Sequence, residues 1–442
     1  MSAGSILFGQ TPLVSSRGRQ DVLPVGRALE HRTHLQPSAH RRLHTVSASA
    51  SQSGSATALS SAVLEAPAET RQTSGRHTST CEPFKPVTGP HAWYQSQYED
   101  VDSYSYQFSA ADIVELAEAV ADVRAKGLEL KDVKKSDFML PKLGPKLVEF
   151  RDEAVNGRGF VLLRGLPVQD WPVEDVAIAY WGLGTYWGKA QPQNRLHHLL
   201  GHVKDVNPPG GWENPVNRVY ATHGAQPYHT DSSDLVALLC LKPAKVGGYS
   251  TWASSYSIYN SLLQTQPELV EALAEEFYLD RKDEIPEGEG PWFKLPVFNW
   301  YKGNLISYFE NSFMASASRH TDVPEMTELQ KRAIKAVEEL ADSAELRMDY
   351  VLQAGDIQLL HNHSIVHART AYVDHDDEPT AKRHLMRLWL APENDWELPK
   401  AFGSRWGGVK VGDRGGIYIP NTVPRAPLDA EMWEVAEEKS KA

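Results

Sequence analysis

The chain has 442 residues, 41% of them hydrophobic and 23% charged, and a formal net charge of −12. That length suits two average domains or one large domain with a tail, and the composition is ordinary for a globular protein. Two cysteines, Cys81 and Cys240, exclude a disulfide framework and a zinc-knuckle spacing, and point to a reducing compartment. No apolar run approaches the roughly 20 residues of a membrane helix, and no basic stripe suits a nucleic acid.

Charge is uneven along the chain. Residues 1–80 hold eight arginines, no lysine, one aspartate and three glutamates, a net +4 that leaves −16 for the rest. Within them, 47–61 is almost entirely Ser, Ala, Gly, Thr and Gln. Such a stretch buries too little apolar surface to offset its ordering entropy. Residues 1–80 therefore read as a disordered leader. Their composition fits a mitochondrial or chloroplast transit peptide, with a cytoplasmic protein bearing a plain tail as the alternative.

Folded structure is expected from about residue 90 to 425. Ser109, with Asp112 three residues on, predicts a capped helix carrying Ile113, Leu116, Val120 and Val123 and closed by Gly127. A second helix is predicted over 146–155, and a buried strand over 159–163. Residues 173–180 read as a short helix and the glycine-rich 182–188 as a loop. Residues 203–220 give short strand-like pieces, 235–241 a core strand and 249–253 another, with Ser254 or Ser255 capping the helix that follows. Helices are predicted over 267–277 and 327–341. Two hairpins are expected: one joins 297–300 to 305–309, the other joins 348–352 to 357–360. Cys240, inside an apolar run, reads as a small buried hydrophobe. Short strands joined by glycine turns, with helices early and inserted later, predict an α+β protein. Its core would be a double-stranded β-helix, or jelly roll, buttressed by helices.

The stretch 355–390 organises the candidate chemistry. It brings His367, then Arg383 and Arg387 on a strand; upstream stands Tyr228-His229-Thr230-Asp231. Two imidazoles and one carboxylate can hold Fe(II) on one face and leave the other face open. An arginine fork suits the far carboxylate of a 2-oxo acid. Three His-X-Asp triplets compete: His229/Asp231, His320/Asp322 and His375/Asp377. The first directly precedes a core strand. The second precedes Pro324 and a helix, where a cap or turn suits it better. The third lies in an acidic loop. For the third ligand, His361 and His363 share a face with His367 by alternation. Arg383, Leu385, Arg387 and Trp389 face one way along their strand, either into the interior against anions or onto a solvated face.

Three ordered blocks carry a resemblance to a known family. They are Tyr228-His-Thr-Asp231 running into 234–241; Gly247-Gly-Tyr-Ser-Thr-Trp-Ala-Ser254; and Gly355-Asp356 followed by His367-Ala-Arg-Thr-Ala-Tyr372 and Arg383-His-Leu-Met-Arg-Leu-Trp389. Over about 150–395 the chain resembles the TauD/TfdA (taurine dioxygenase, clavaminate synthase-like) family of Fe(II)/2-oxoglutarate-dependent dioxygenases. The resemblance implies His229, Asp231 and His367 as iron ligands. It implies Arg383 as the partner of the distal carboxylate of 2-oxoglutarate, helped by a hydroxyl from Ser250 or its neighbour Thr251. Arg387 would face the same pocket, toward the co-substrate's other end or an anionic substrate. The implied reaction oxidises a small organic substrate while 2-oxoglutarate and O2 become succinate and CO2. A zinc-dependent cupin-like hydrolase and a non-catalytic jelly-roll binding module are the alternatives. A homo-oligomer is compatible with the sequence.

Overall fold

A computed structural model describes residues 81–431, apart from 210, 212–213, 215–216 and 376–377. The leader at 1–80, the aspartates of the His375 triplet and the charged tail after 431 lie outside the described residues.

Local signals set the first helix. The Ser109 hydroxyl accepts from the Asp112 N–H, the Asp112 carboxylate accepts from the Ser109 N–H at 2.8 Å, and Ala110–Lys126 stops at Gly127 with φ +63°. The helix Leu143–Asn156 follows, then the strand Phe160–Arg164, whose first four residues are buried.

The loop expected over 182–188 is instead the second half of one helix, Val173–Trp187. Its glycines serve packing. A Cβ at Gly182 would lie 2.3 Å from the Phe138 ring, and one at Gly184 2.6 Å from a Leu388 methyl. Each glycine costs a helix roughly 1 kcal/mol relative to alanine. Close seating buries Tyr180, Leu183 and Trp187, and fully burying large apolar side chains contributes about 1.5–3 kcal/mol apiece.

Two sheets lie at the centre. The larger has the order Ser105–Gln107, Phe160–Arg164, Ile357–His361, Leu235–Lys242, His384–Ala391 and Lys189–Gln191, with Gly201–Val203 also on the His384–Ala391 strand. Only its first pair is parallel. The smaller is antiparallel, in the order Met348–Tyr350, Ser250–Ser254, Ile365–Arg369 and Gln226–His229. From residue 226 onward the chain alternates between them. This is a mixed α/β fold with a double-sheet core. Every residue of His384–Ala391 is buried. Leu388 meets the helix Val173–Trp187, while Arg383, Leu385 and Arg387 face a cavity.

Two further expectations need correction. Residues 348–352 and 357–360 do not form a hairpin: Met348–Tyr350 pairs with Ser250–Ser254, while Ile357–His361 joins the other sheet. The turn redirects the chain between sheets because Gly355 (φ +88°) donates its N–H to Cys240 O and accepts from Leu166 N–H. The helix at 267 ends at Leu273, and Phe277–Asp280 is a strand paired with Trp292–Leu295. The hairpin around Lys302-Gly303 forms, joining Phe298–Tyr301 to Asn304–Ser307. No helix among the described residues is long and apolar enough to cross a membrane.

Candidate active site

Two strands of the smaller sheet and one turn bring three donors together. His229 ends the strand Gln226–His229 and pairs in register with His367 on Ile365–Arg369. Asp231 follows in the turn, so the triplet is not all strand. Thr230 is pinned between them: its N–H donates to Phe309 O at 2.6 Å, and its hydroxyl accepts from the Phe309 N–H at 3.1 Å. The Asp231 N–H donates to Asn362 Oδ1 at 3.0 Å. These bonds aim both side chains at one point. His229 Nε2 is 3.8 Å from Asp231 Oδ1, His367 Nε2 is 3.7 Å from Asp231 Oδ2, and the imidazole centroids are 4.2 Å apart. All three residues are buried, and the set could hold one metal ion.

Electrostatics favour an ionised Asp231 and a neutral His367. Burial would push the Asp231 carboxyl up, but Arg387, then His367 and His229, hold it at about 2. Burial, then the neighbouring His229, pulls His367 down to about 3, so it is neutral. His229 Nδ1–H donates to Pro227 O at 2.9 Å, which leaves the Nε2 lone pair inward. That lone pair accepts from the Gln226 amide at 2.8 Å. Asp231 Oδ2 has no hydrogen-bond partner among the described residues, although it is buried. A set of this kind matches the two-histidine, one-carboxylate pattern for iron.

The donors line a cavity of about 460 Å³ together with Ser250, Arg369, Arg383 and Arg387. Arg383 NH1 and Arg369 Nε and NH1 have no partner among the described residues. Each guanidinium lies 5.0 Å from the Tyr372 ring. Burial lowers Arg383, and burial followed by Arg383 lowers Arg369 to about 10. Two adjacent buried cations with open donors call for an anion. Gly248 (φ +70°) makes room, since a Cβ there would sit 3.0 Å from Arg383 Nε. Arg387 is used differently: its Nε donates to Gln193 Oε1 at 2.7 Å and its NH1 is 3.5 Å from Asp231 Oδ1. Tyr220 and Arg387 also line an outer cavity of about 990 Å³, which includes Asn194, Arg195, Lys204 and Arg218.

The structure thus brings His229, Asp231, His367, Ser250, Arg383 and Arg387 to one cavity. Thr251 does not line it and lies toward Tyr228. His320 is elsewhere, 3.0 Å from Asp280, and His361 and His363 turn to a separate cluster. Cys240 is buried, and burial pushes its thiol up to about 12. Arg369 was missed by sequence reasoning. It stands two residues after His367 on one strand, so alternation places it on the same face.

Comparison with known proteins gives the class first: residues 125–389 match the family model described as Taurine catabolism dioxygenase TauD, TfdA family. The chain belongs to this family of dioxygenases. It is 32% identical over 326 residues to FR-33289 synthase of Streptomyces rubellomurinus, covering 73% of this chain and 96% of that one. It is 31% identical over 317 residues to the taurine hydroxylase-like protein SAT17 of Stachybotrys chartarum, covering 70% and 80%. In structure it resembles an asparagine oxygenase solved with Fe(II), 2S,3S-3-hydroxyasparagine and succinate. There the TM-score is 0.50, identity is 17%, and coverage is 65% of this chain and 93% of that one, a likeness of fold.

Proposed function

We propose that the chain is an Fe(II)/2-oxoglutarate-dependent dioxygenase that hydroxylates a small organic molecule while 2-oxoglutarate and O2 become succinate and CO2. One observation carries the reading. A single cavity lined by buried side chains holds both a two-histidine, one-carboxylate donor set and two arginines with open donors. A zinc-dependent hydrolase would use the donors and leave the arginines without a role. The alternation of strands between two sheets supports the jelly-roll reading of the core.

In this reading His229, Asp231 and His367 hold the iron, which supplies the O2 chemistry when bound. An iron ion held there would use the His229 Nε2 lone pair that the Gln226 amide meets in this structure. Arg383 would bind the distal carboxylate of 2-oxoglutarate, and the Ser250 hydroxyl, which donates to Gln358 Oε1 at 2.6 Å, would turn its proton to that carboxylate. Arg369 adds a second positive charge. Leu238 and Leu385 line the cavity between these polar groups and limit water. The substrate occupies the outer cavity and reaches the metal past Tyr220 and Arg387. Residues 1–80 keep the organellar-address reading of their composition, which imaging of the tagged full chain tests.

Anaerobic calorimetric titration of 2-oxoglutarate into the metal-loaded protein tests the assignment. One equivalent should bind, only with metal present, and Arg383→Gln should weaken it by roughly 10–100-fold. Binding that ignores both the metal and Arg383 would reject it.

A further inference from the structure

A second set of two histidines and one aspartate lies apart from the cavity. The strand Ile357–His361 ends on His361, and the turn after it carries His363. One donor atom from each of His361, His363 and Asp395 lies within 4.8 Å of the others. All three side chains are buried. We propose that His361, His363 and Asp395 form a second metal site, a closed structural site for a zinc-like divalent ion.

Geometry is the first support. His361 Nε2 and Asp395 Oδ1 are 3.1 Å apart. Two ligands bonded at about 2.0 Å to a tetrahedral zinc stand roughly 3.3 Å from each other. The far sides of both rings are already engaged. His361 Nδ1 is 2.9 Å from Ser364 Oγ, and His363 Nε2–H donates to Asp234 Oδ1 at 2.8 Å. His361 Nε2 shares a hydrogen bond with Asp395 Oδ1, which an ion would replace, and the outer hydrogen bonds are of the kind that orient metal-bound imidazoles.

Unmet polar atoms are the second support. Asp395 Oδ2 and His91 Nδ1 are buried without a partner among the described residues, and the His91 ring lies over His361 at 6.2 Å. Buried polar atoms in native proteins are nearly always satisfied, so such a pair points to a missing water or ion. Charge favours the ion. Asp234 and Asp395 face one guanidinium, Arg414, whose Nε donates to Asp234 at 2.9 Å. Two carboxyl groups share that one guanidinium, and a divalent cation would complement them. Trp396 packs on His361 at 4.6 Å and Trp406 on His363 at 5.1 Å, so the surroundings are aromatic and enclosed. Asn362, between the two histidines, donates to Ser233 O and accepts from the Asp231 N–H. An ion here would brace the turn that carries Asp231.

The full chain carrying Asp231→Ala isolates this site, because the first donor set is then broken. It is stripped with chelator, given zinc or cobalt, dialysed, and its metal measured by mass spectrometry. One equivalent per chain should remain, cobalt should give the visible absorption of a four-coordinate ion, and metal should raise the melting temperature. Adding Asp395→Asn should remove the equivalent, and adding Ser364→Ala should weaken it about tenfold. If the cluster variants do not fold, Asp231→Ala alone decides. No retained metal, with the same melting temperature in chelator and in zinc, overturns the proposal in favour of a protonated, watered network. An equivalent that persists in folded Asp231→Ala/Asp395→Asn overturns it as well.

Discussion

His229, Asp231 and His367 open onto a cavity of about 460 Å³, whereas His361, His363 and Asp395 are enclosed by Trp396, Phe402 and Trp406. The donor types are the same and both sets are buried. What differs is the company they keep. The first has Arg369, Arg383 and Arg387 around it and space beside it; the second has Arg414 and Asp234 and packed rings. Two histidines and an aspartate therefore specify no task alone. On the two proposals above, access and neighbouring charge would decide between reaction and structure.

Breaking each set should separate the two roles. Asp231→Ala is expected to lower 2-oxoglutarate turnover by at least about a thousandfold, about 4 kcal/mol, while the protein stays folded. Asp395→Ala leaves buried polar groups without their partner and should cost about 3 kcal/mol of stability, read by chemical denaturation. Its folded fraction should still turn over. The reverse pattern, with Asp395→Ala silent in stability and Asp231→Ala unfolding the chain, would exchange the roles.

The arginines sharpen the contrast. Arg369→Leu should raise the KM for 2-oxoglutarate by roughly tenfold with little change in kcat, a smaller effect than Arg383→Gln. Acid should act on other buried histidines. Burial, first among the causes, lowers His91 and His384 to about 3 and His198 to about 4. These folded values lie below the unfolded value near 6.5, so the unfolded chain takes the proton first. Stability is full above about pH 6.5 and is lost as pH falls toward 3. At pH 5.5 each should contribute a loss of about 1.4 kcal/mol. Melting followed from pH 7.5 to 5.5 checks this, and His384→Asn should flatten the slope.

Much of this was legible where the signal was local. The Ser109 capping box, the core strand at 235 and the turn at Lys302-Gly303 each rest on a few neighbouring residues. The candidate donors His229, Asp231 and His367 stood out as a pattern of spaced blocks, and the structure brings them together. Residues 182–188 were not, because a helix tolerates those glycines only when Phe138 and Leu388 press against them, and neither is near in sequence. Residues 348–360 misled because a hairpin and a crossing between two sheets share the same turn residues. Alternation put His361, His363 and His367 on one face. The chain ends one strand at His361 and starts another at Ile365, which sends them to different sites.

The central claim meets its most direct test in succinate formation. The full chain, loaded with Fe(II) and supplied with 2-oxoglutarate, ascorbate and air, is assayed beside Asp231→Ala and Arg383→Gln with a panel of amino acids, sulfonic acids and nucleoside 5′-phosphates. The account predicts iron-dependent succinate, lost in Asp231→Ala, reduced in Arg383→Gln and accelerated by the class of compound that is the substrate. No succinate from a folded, iron-loaded protein under any of these conditions, or succinate that persists in Asp231→Ala, would contradict it.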